Sequence, residues 1–133
     1  MTRAFESQIR PEAYAGYLAG WRERTRAEKE HLVGKFQESR TLAEDCVGVL
    51  VRRYPIRRAW LIGSLLTPDY FHAASDIDLV VEGLPSKHYF AALSCLYDLL
   101  PPDLELDLIT LETAQPGLRE HIMKEGKLLY ERA

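Results

Sequence analysis

The chain has 133 residues, which is enough for one domain with a single hydrophobic core that needs no disulfide or metal to brace it. Hydrophobic residues make up 47% and charged residues 28%, a composition that excludes a disordered or membrane-embedded chain. No apolar run is long enough to span a bilayer, and the first residues carry no signal-peptide core. We therefore expect a cytoplasmic protein that does not contact a membrane.

The formal net charge of −3 is the sum of two halves of opposite sign. Residues 1–58 are net basic, which can indicate nucleic acid or an acidic partner. The arginines alternate with glutamates, however, as in Arg22-Glu23-Arg24, and this pattern is typical of a solvated helix face. We therefore expect no direct binding of nucleic acid. Residues 59–133 are net acidic, as expected for a domain that binds cations.

The first half of the chain has the periodicity of a helix. Pro11 suits a first helical position, and Pro55 ends the pattern because proline cannot donate to the helical hydrogen-bond ladder. Between them, apolar residues recur at spacings of three, four or seven: Tyr14, Leu18, Trp21, Thr25, Leu32, Phe36, Ala43, Cys46, Val47 and Leu50. The pattern fits one long helix that overhangs its domain and offers a stripe to a second copy or another protein. It fits equally a pair of shorter helices broken at Gly34.

The second half alternates strands and helices. Residues 58–62, 77–82 and 104–109 have the apolar content or the alternation of strands. A helix is predicted between the second and third strands, up to Pro101, with these residues on its apolar side: Tyr89, Phe90, Leu93, Leu96, Tyr97 and Leu100. Another helix runs from Pro116 to Gly126, before the apolar residues 128–130. This order predicts an α/β domain with a small sheet over residues 56–133, preceded by a helical segment over residues 1–55.

Three aspartates lie on the predicted strands. Side chains two residues apart on a strand project from the same face, so Asp76 and Asp78 stand together while Ile77 and Leu79 point into the core. On the third strand the leucines take one face and leave Asp107 on the other. If these strands are neighbours, three carboxylates converge, and such clusters are costly unless a cation neutralises them. Ligands that are all oxygen favour Mg²⁺ or Mn²⁺, which promote phosphoryl and nucleotidyl transfer.

A glycine–serine pair directly follows the first strand. Only glycine lets the backbone approach a phosphate closely, so Gly63 suits a phosphate-binding turn. If a helical turn begins near Ser64, its free N–H groups and its hydroxyl would hold a triphosphate. Each element is weak evidence by itself. Their order along the chain, with the isolated Asp107 coming last, indicates a functional site.

Residues 60–82, from Trp-Leu-Ile-Gly-Ser to Ser-Asp-Ile-Asp-Leu-Val-Val-Glu, resemble the motif of the DNA-polymerase-β-like nucleotidyltransferase superfamily, and most closely its minimal nucleotidyltransferase (MNT) branch. The resemblance implies a small mixed sheet of the polymerase-β type after the long N-terminal helix or helix pair. It also implies that Gly63 and Ser64 bind the phosphates of ATP. Asp76, Asp78 and Asp107 would hold Mg²⁺ or Mn²⁺, and Asp107 would help to activate the attacking hydroxyl.

The segment after Ser64 departs from the family pattern. Family members have a small residue, an arginine and a glycine there, whereas this chain has Leu65, Leu66, Thr67, Pro68 and Asp69. The fold tolerates such a change in a loop, but nucleotide affinity and turnover depend on it.

Many MNT proteins resemble antitoxins paired with HEPN-domain RNase toxins, which they silence by moving AMP from ATP onto a toxin tyrosine. The resemblance therefore implies a HEPN-type protein partner. One alternative is a degenerate nucleotidyltransferase that neutralises its partner by contact alone. Another is an enzyme that modifies a small molecule such as an antibiotic, although the sequence contains no evident domain for such an acceptor.

Overall fold

The fold was obtained as a computed structural model, which describes residues 11–66 and 76–133, without the side chains of residues 11–25 and 29. The chain divides into two compact units, Met1–Gly34 and Lys35–Ala133, and every contact discussed below lies in the second. The first half forms one helix, α1, over Pro11–Arg53, so the single-helix alternative is the one observed. Our functional division of the chain at residue 55 stays a prediction. Within the described ranges, no helix combines the length and apolar character needed to cross a membrane.

Four strands form one mixed sheet. They are β1 (Arg58–Ile62), β2 (Ile77–Glu82), β3 (Leu106–Thr110) and β4 (Lys127–Glu131), in the spatial order β3-β2-β1-β4. β1 pairs antiparallel with both β2 and β4, whereas β2 and β3 are parallel. Helix α2 (Tyr89–Tyr97) connects β2 to β3, and helix α3 (Pro116–Glu125) connects β3 to β4. The mixed sheet is confirmed, and β4 is a strand that the sequence analysis missed.

The central strand β2 is covered on both faces. Ile77 and Leu79 are fully buried, as predicted, and so is Val80 on the opposite face. Val80 belongs to a cluster with Trp60 and with Ile122 of α3, so α3 packs on the face from which Asp78 also projects. The buried residues of α1 and α2 also belong to the core: Phe36, Ala43, Cys46, Val47, Leu50, Ala92 and Leu96.

One side of α2 differs from its prediction. The sequence analysis grouped Phe90 with the apolar side of this helix, yet its side chain is 80% exposed. The buried line of α2 instead passes through Ala92 and Leu96, four residues apart, which lie on the same side of a helix. Phe90 keeps one aromatic neighbour, the ring of Tyr89, at a centroid distance of 5.3 Å in an edge-on arrangement.

Truncation of Ile122 tests the packing of α3 on the sheet. Ile122→Ala leaves a cavity against Trp60 and Val80, so we expect the free energy of unfolding to fall by about 2–5 kcal/mol, measured by urea denaturation. Met123→Ala is the matched control, because Met123 is the next residue of the same helix and is 51% exposed. Equal losses in the two variants would contradict this packing.

Candidate active site

The site forms where β2 and β3 lie side by side. In their parallel register Asp78 stands directly opposite Asp107. Both side chains project from the face that also carries Val80 and Ile109, because alternate residues of a strand share a face. Asp78 is half-buried and Asp107 is exposed, so the pair presents one sheltered and one accessible carboxyl group.

The two carboxyl groups interact strongly. The pKa of Asp78 rises to about 6 from an ordinary value of 3.8, first because burial penalises its charge. The negative charge of Asp107, a hydrogen bond with the Asp107 side chain and the charge of Asp76 raise this pKa further. The electrostatic neighbours of Asp78 are therefore other acids, and a bound cation would relieve their repulsion.

Asp76 lies immediately before β2 and is half-buried. It is close enough for its charge to act on Asp78, although it contributes less than Asp107 does. In the part of the chain that the structure describes, no three His, Cys, Asp or Glu side chains are grouped closely enough to hold a metal ion. The structure thus brings Asp78 and Asp107 together and places Asp76 beside them. Metal binding by all three stays a prediction, and two facing carboxylates are oxygen ligands that suit Mg²⁺ or Mn²⁺.

Gly63 lies at the end of β1, next to the acidic pair. Ile62 pairs with Asp78 across the antiparallel register, so the following residue meets the Asp78 side chain. Gly63 has a φ of +82°, a conformation that favours glycine, and a Cβ atom at this position would overlap Asp78 Oδ2. The positive φ therefore favours glycine here, and the close approach of the carboxylate adds to this preference. This reason was missed by the sequence analysis, which considered only the approach of a phosphate.

Ser64 belongs to a short 3-10 turn over Gly63–Leu66 and is half-buried. Leu65 fixes this turn, because its side chain is fully buried. The turn therefore begins directly beside Asp78, which is where the sequence analysis expected a phosphate. Residues 67–75 lie outside the described residues, and they include Thr67, Pro68 and Asp69 of the segment that departs from the family pattern.

The opposite end of the same sheet face carries a different acid. Glu82 accepts two hydrogen bonds from Arg58, of 2.8 Å and 3.2 Å, and these bonds are the main cause of its lowered pKa. The Arg58 guanidinium also lies over the Trp60 ring, 4.9 Å from its centroid. β2 thus carries two acids in different surroundings. Glu82 is neutralised by Arg58, whereas Asp78, four residues earlier, has aspartates as its charged neighbours among the described residues.

Comparison with known proteins identifies the class. The family model described as polymerase beta, nucleotidyltransferase matches residues 44–133. The chain therefore belongs to the polymerase beta nucleotidyltransferase family, and the assignment made from the sequence motif is confirmed. Comparison with curated proteins found no significant match.

Solved structures share the fold. A toxin–antitoxin MntA–HepT structure matches with 22% identity and a TM-score of 0.53, over 70% of this chain and 73% of that chain. A toxin–antitoxin structure with AMP-PNP matches with 26% identity and a TM-score of 0.56, over 67% and 73% of the two chains. A structure of tri-AMPylated Shewanella oneidensis HEPN toxin in complex with MNT antitoxin matches with 21% identity and a TM-score of 0.54, over 71% and 73%.

Gly63→Ala tests the contact between the turn and the acidic pair. The positive φ alone costs about 1–3 kcal/mol for a residue with a Cβ atom, and the overlap with Asp78 adds to this cost. We expect a clear loss of unfolding free energy in urea denaturation. Gly117→Ala is the control, because a Cβ atom at Gly117 meets no atom within 4 Å. Equal stability of the two variants would contradict both the positive φ of Gly63 and its close approach to Asp78.

Metal-free protein should lose stability as the pH rises through the titration of Asp78. A pKa that is higher in the folded chain means that protonated Asp78 favours the folded state. This contribution is fully present below pH 3.8 and is lost as the pH rises through about 6. Asp78→Asn lacks it, so urea denaturation in EDTA should show the variant gaining stability relative to wild type across this interval. A pH-independent difference would contradict the raised pKa.

Proposed function

We propose that the chain is a Mg²⁺-dependent adenylyltransferase that moves AMP from ATP to a protein partner in the cytoplasm, as the antitoxin of a HEPN-type toxin. The observation that carries the proposal is the Asp78–Asp107 pair on adjacent strands, beside the Gly63 turn, in a member of the nucleotidyltransferase family. Two solved relatives support the substrates, since one contains AMP-PNP and another contains an AMPylated HEPN toxin.

The chemistry follows from the placement of the side chains. An acceptor hydroxyl attacks the α-phosphorus of ATP, the bond to the β-phosphate oxygen breaks, and pyrophosphate leaves. Asp107 is the exposed member of the pair, so it is the carboxylate that can take the proton of an incoming hydroxyl. Asp78 and Asp76 would hold the divalent cation with Asp107, and this cation, when bound, supplies positive charge to the phosphate oxygens. Gly63 and Ser64 would bind the phosphates through the turn that follows β1.

The two parts of the chain take different tasks in this proposal. Residues 56–133 carry the site, and residues 1–55 provide the long helix that contacts the toxin or a second copy of the chain. α1 runs over Pro11–Arg53, and its buried positions begin only at Phe36 among the side chains that are described.

Transfer to the partner is the direct test. The chain is incubated with ATP, Mg²⁺ and the partner encoded beside its gene, and the partner is then weighed by mass spectrometry. We expect added AMP that disappears with EDTA. Asp107→Asn should slow the transfer by about 10²–10⁴-fold, the typical contribution of a general base. Asp103→Asn is the control, since Asp103 lies on the surface and forms a 3.8 Å ion pair with Lys35. If the complex forms but the mass of the partner does not increase by AMP, the proposal is contradicted.

The second candidate function is a binding module that neutralises its partner without transfer. It is favoured by the departure from the family pattern at Leu65 and Leu66, and by the acidic side chains, which in the described part of the chain do not form a three-ligand metal group. The double variant Asp76→Asn/Asp78→Asn separates the two candidates. If it binds the partner and still neutralises it, the binding module is correct. If neutralisation is lost while binding persists, transfer is required.

A further inference from the structure

Among the described residues, Asp107 lies on a strand that has a neighbouring strand on one side only. β3 is at the edge of the sheet, with β2 as its partner. In a parallel pair, alternate residues direct their backbone groups to the same neighbour. Glu105 accepts a hydrogen bond from the Ile77 N–H, so residues 105, 107 and 109 face β2. The backbone groups of Leu106 and Leu108, the two residues that flank Asp107, therefore point away from the sheet.

Two tyrosines of α2 bind these outward groups. The Tyr97 hydroxyl donates to the Leu106 carbonyl at 3.1 Å and accepts from the Leu106 N–H at 3.2 Å. The Tyr89 hydroxyl donates to the Leu108 carbonyl at 2.5 Å. These three bonds run from the first and last residues of α2 to the strand, so they attach both ends of the helix to β3.

The hydroxyl groups are the specific part of these contacts. Tyr97 is 43% exposed, so packing of its ring in the core is not what attaches it to the strand. Beyond Leu108 and Thr110 the edge opens on a cavity of about 610 Å³, which Tyr89 also lines. An edge strand that faces an open cavity has unpaired backbone groups, and local opening starts where backbone hydrogen bonds are few and exposed.

We propose that Tyr89 and Tyr97 are positioning residues that hold the β3 backbone on both sides of Asp107 and so keep its carboxyl group opposite Asp78. This inference rests on the proposed function for the role of Asp107. The two hydroxyls bond to backbone groups of Leu106 and Leu108 that a neighbouring strand would otherwise pair. Displacement of β3 at these two residues would separate Asp107 from Asp78. Their effect on metal binding is transmitted through the backbone, because neither tyrosine belongs to the metal-binding set.

The experiment compares Tyr97→Phe, Tyr89→Phe and the double variant with Tyr130→Phe. The substitution keeps each ring and removes one oxygen atom. Tyr130 is the control, because it lies on β4, at the other edge of the sheet, and its hydroxyl bonds to no described residue. Mn²⁺ is titrated into each purified chain, and amide hydrogen exchange is followed for residues of β3. Thermal midpoints report the overall stability.

Each single variant should bind Mn²⁺ about threefold to tenfold more weakly, the factor that corresponds to losing a neutral hydrogen bond. The double variant should bind it more weakly still. Amide hydrogen exchange of the Leu106 N–H should accelerate in Tyr97→Phe, because this N–H loses the Tyr97 hydroxyl as its acceptor. Tyr130→Phe should match wild type in β3 exchange, in Mn²⁺ affinity and in thermal midpoint, because no hydrogen bond is lost among the described residues.

Two results would overturn the inference. Unchanged exchange in β3 would show that the hydroxyls do not hold the strand. Faster exchange with unchanged Mn²⁺ affinity would show that they hold it without positioning Asp107. Failure of the wild-type chain to bind Mn²⁺ would instead refute the proposed function. The exchange rates would then decide separately whether the tyrosines hold the strand.

Discussion

The active-site half of this molecule depends on one unfavourable interaction, the approach of Asp78 and Asp107 across two parallel strands. Like charges at this separation repel, and burial makes the charged form of Asp78 costlier still. Burial of the apolar residues of the central strand β2 offsets this cost. These residues include Leu79 and Val80, on the two sides of the sheet. Backbone pairing and core packing thus hold together two groups that would separate in a looser structure.

The surroundings of the pair can be understood as consequences of this constraint. A glycine suits position 63 because its φ is positive and because the Asp78 carboxylate lies where a Cβ atom would be. Leu65 is buried and fixes the turn that begins at Gly63, so the turn cannot move away from the acid. On the other side, Tyr97 and Tyr89 bond to the residues that flank Asp107. Each element restrains one side of the pair, and each does so through a short-range contact.

Much of this arrangement could be predicted from the sequence, because strand periodicity is a strong constraint. Alternation along residues 77–82 and 104–109 was sufficient to place Asp78 and Asp107 each on the face of its strand opposite the core residues. That the two strands are neighbours was left open, and the observed register places the two aspartates opposite each other. The motif over residues 60–82 was sufficient for the family, which the match over residues 44–133 confirms. Binding of a metal by Asp76 together with the pair remains a prediction.

The features that could not be predicted are those that depend on contacts distant in sequence. β4 is largely exposed and has no clear alternation, so its strand conformation comes from pairing with β1 and not from its own pattern. The exposure of Phe90 depends on which side of α2 meets the sheet, and an almost entirely apolar helix does not reveal that side. The bonds from Tyr97 and Tyr89 require the distance between α2 and the β3 edge, which no periodicity encodes.

A comparison within β2 gives the strongest argument that the acidic pair serves a ligand. Glu82 and Asp78 project from the same face of the same strand, but their charged neighbours differ. Glu82 is neutralised by Arg58, whose guanidinium is itself fixed over the Trp60 ring, and its pKa is lowered. Among the described residues, Asp78 has Asp107 and Asp76 as its charged neighbours, and its pKa is raised. Because structural acids are normally paired with cations, an arrangement that concentrates acids at one end of a strand fits a site that receives its positive charge from outside the chain.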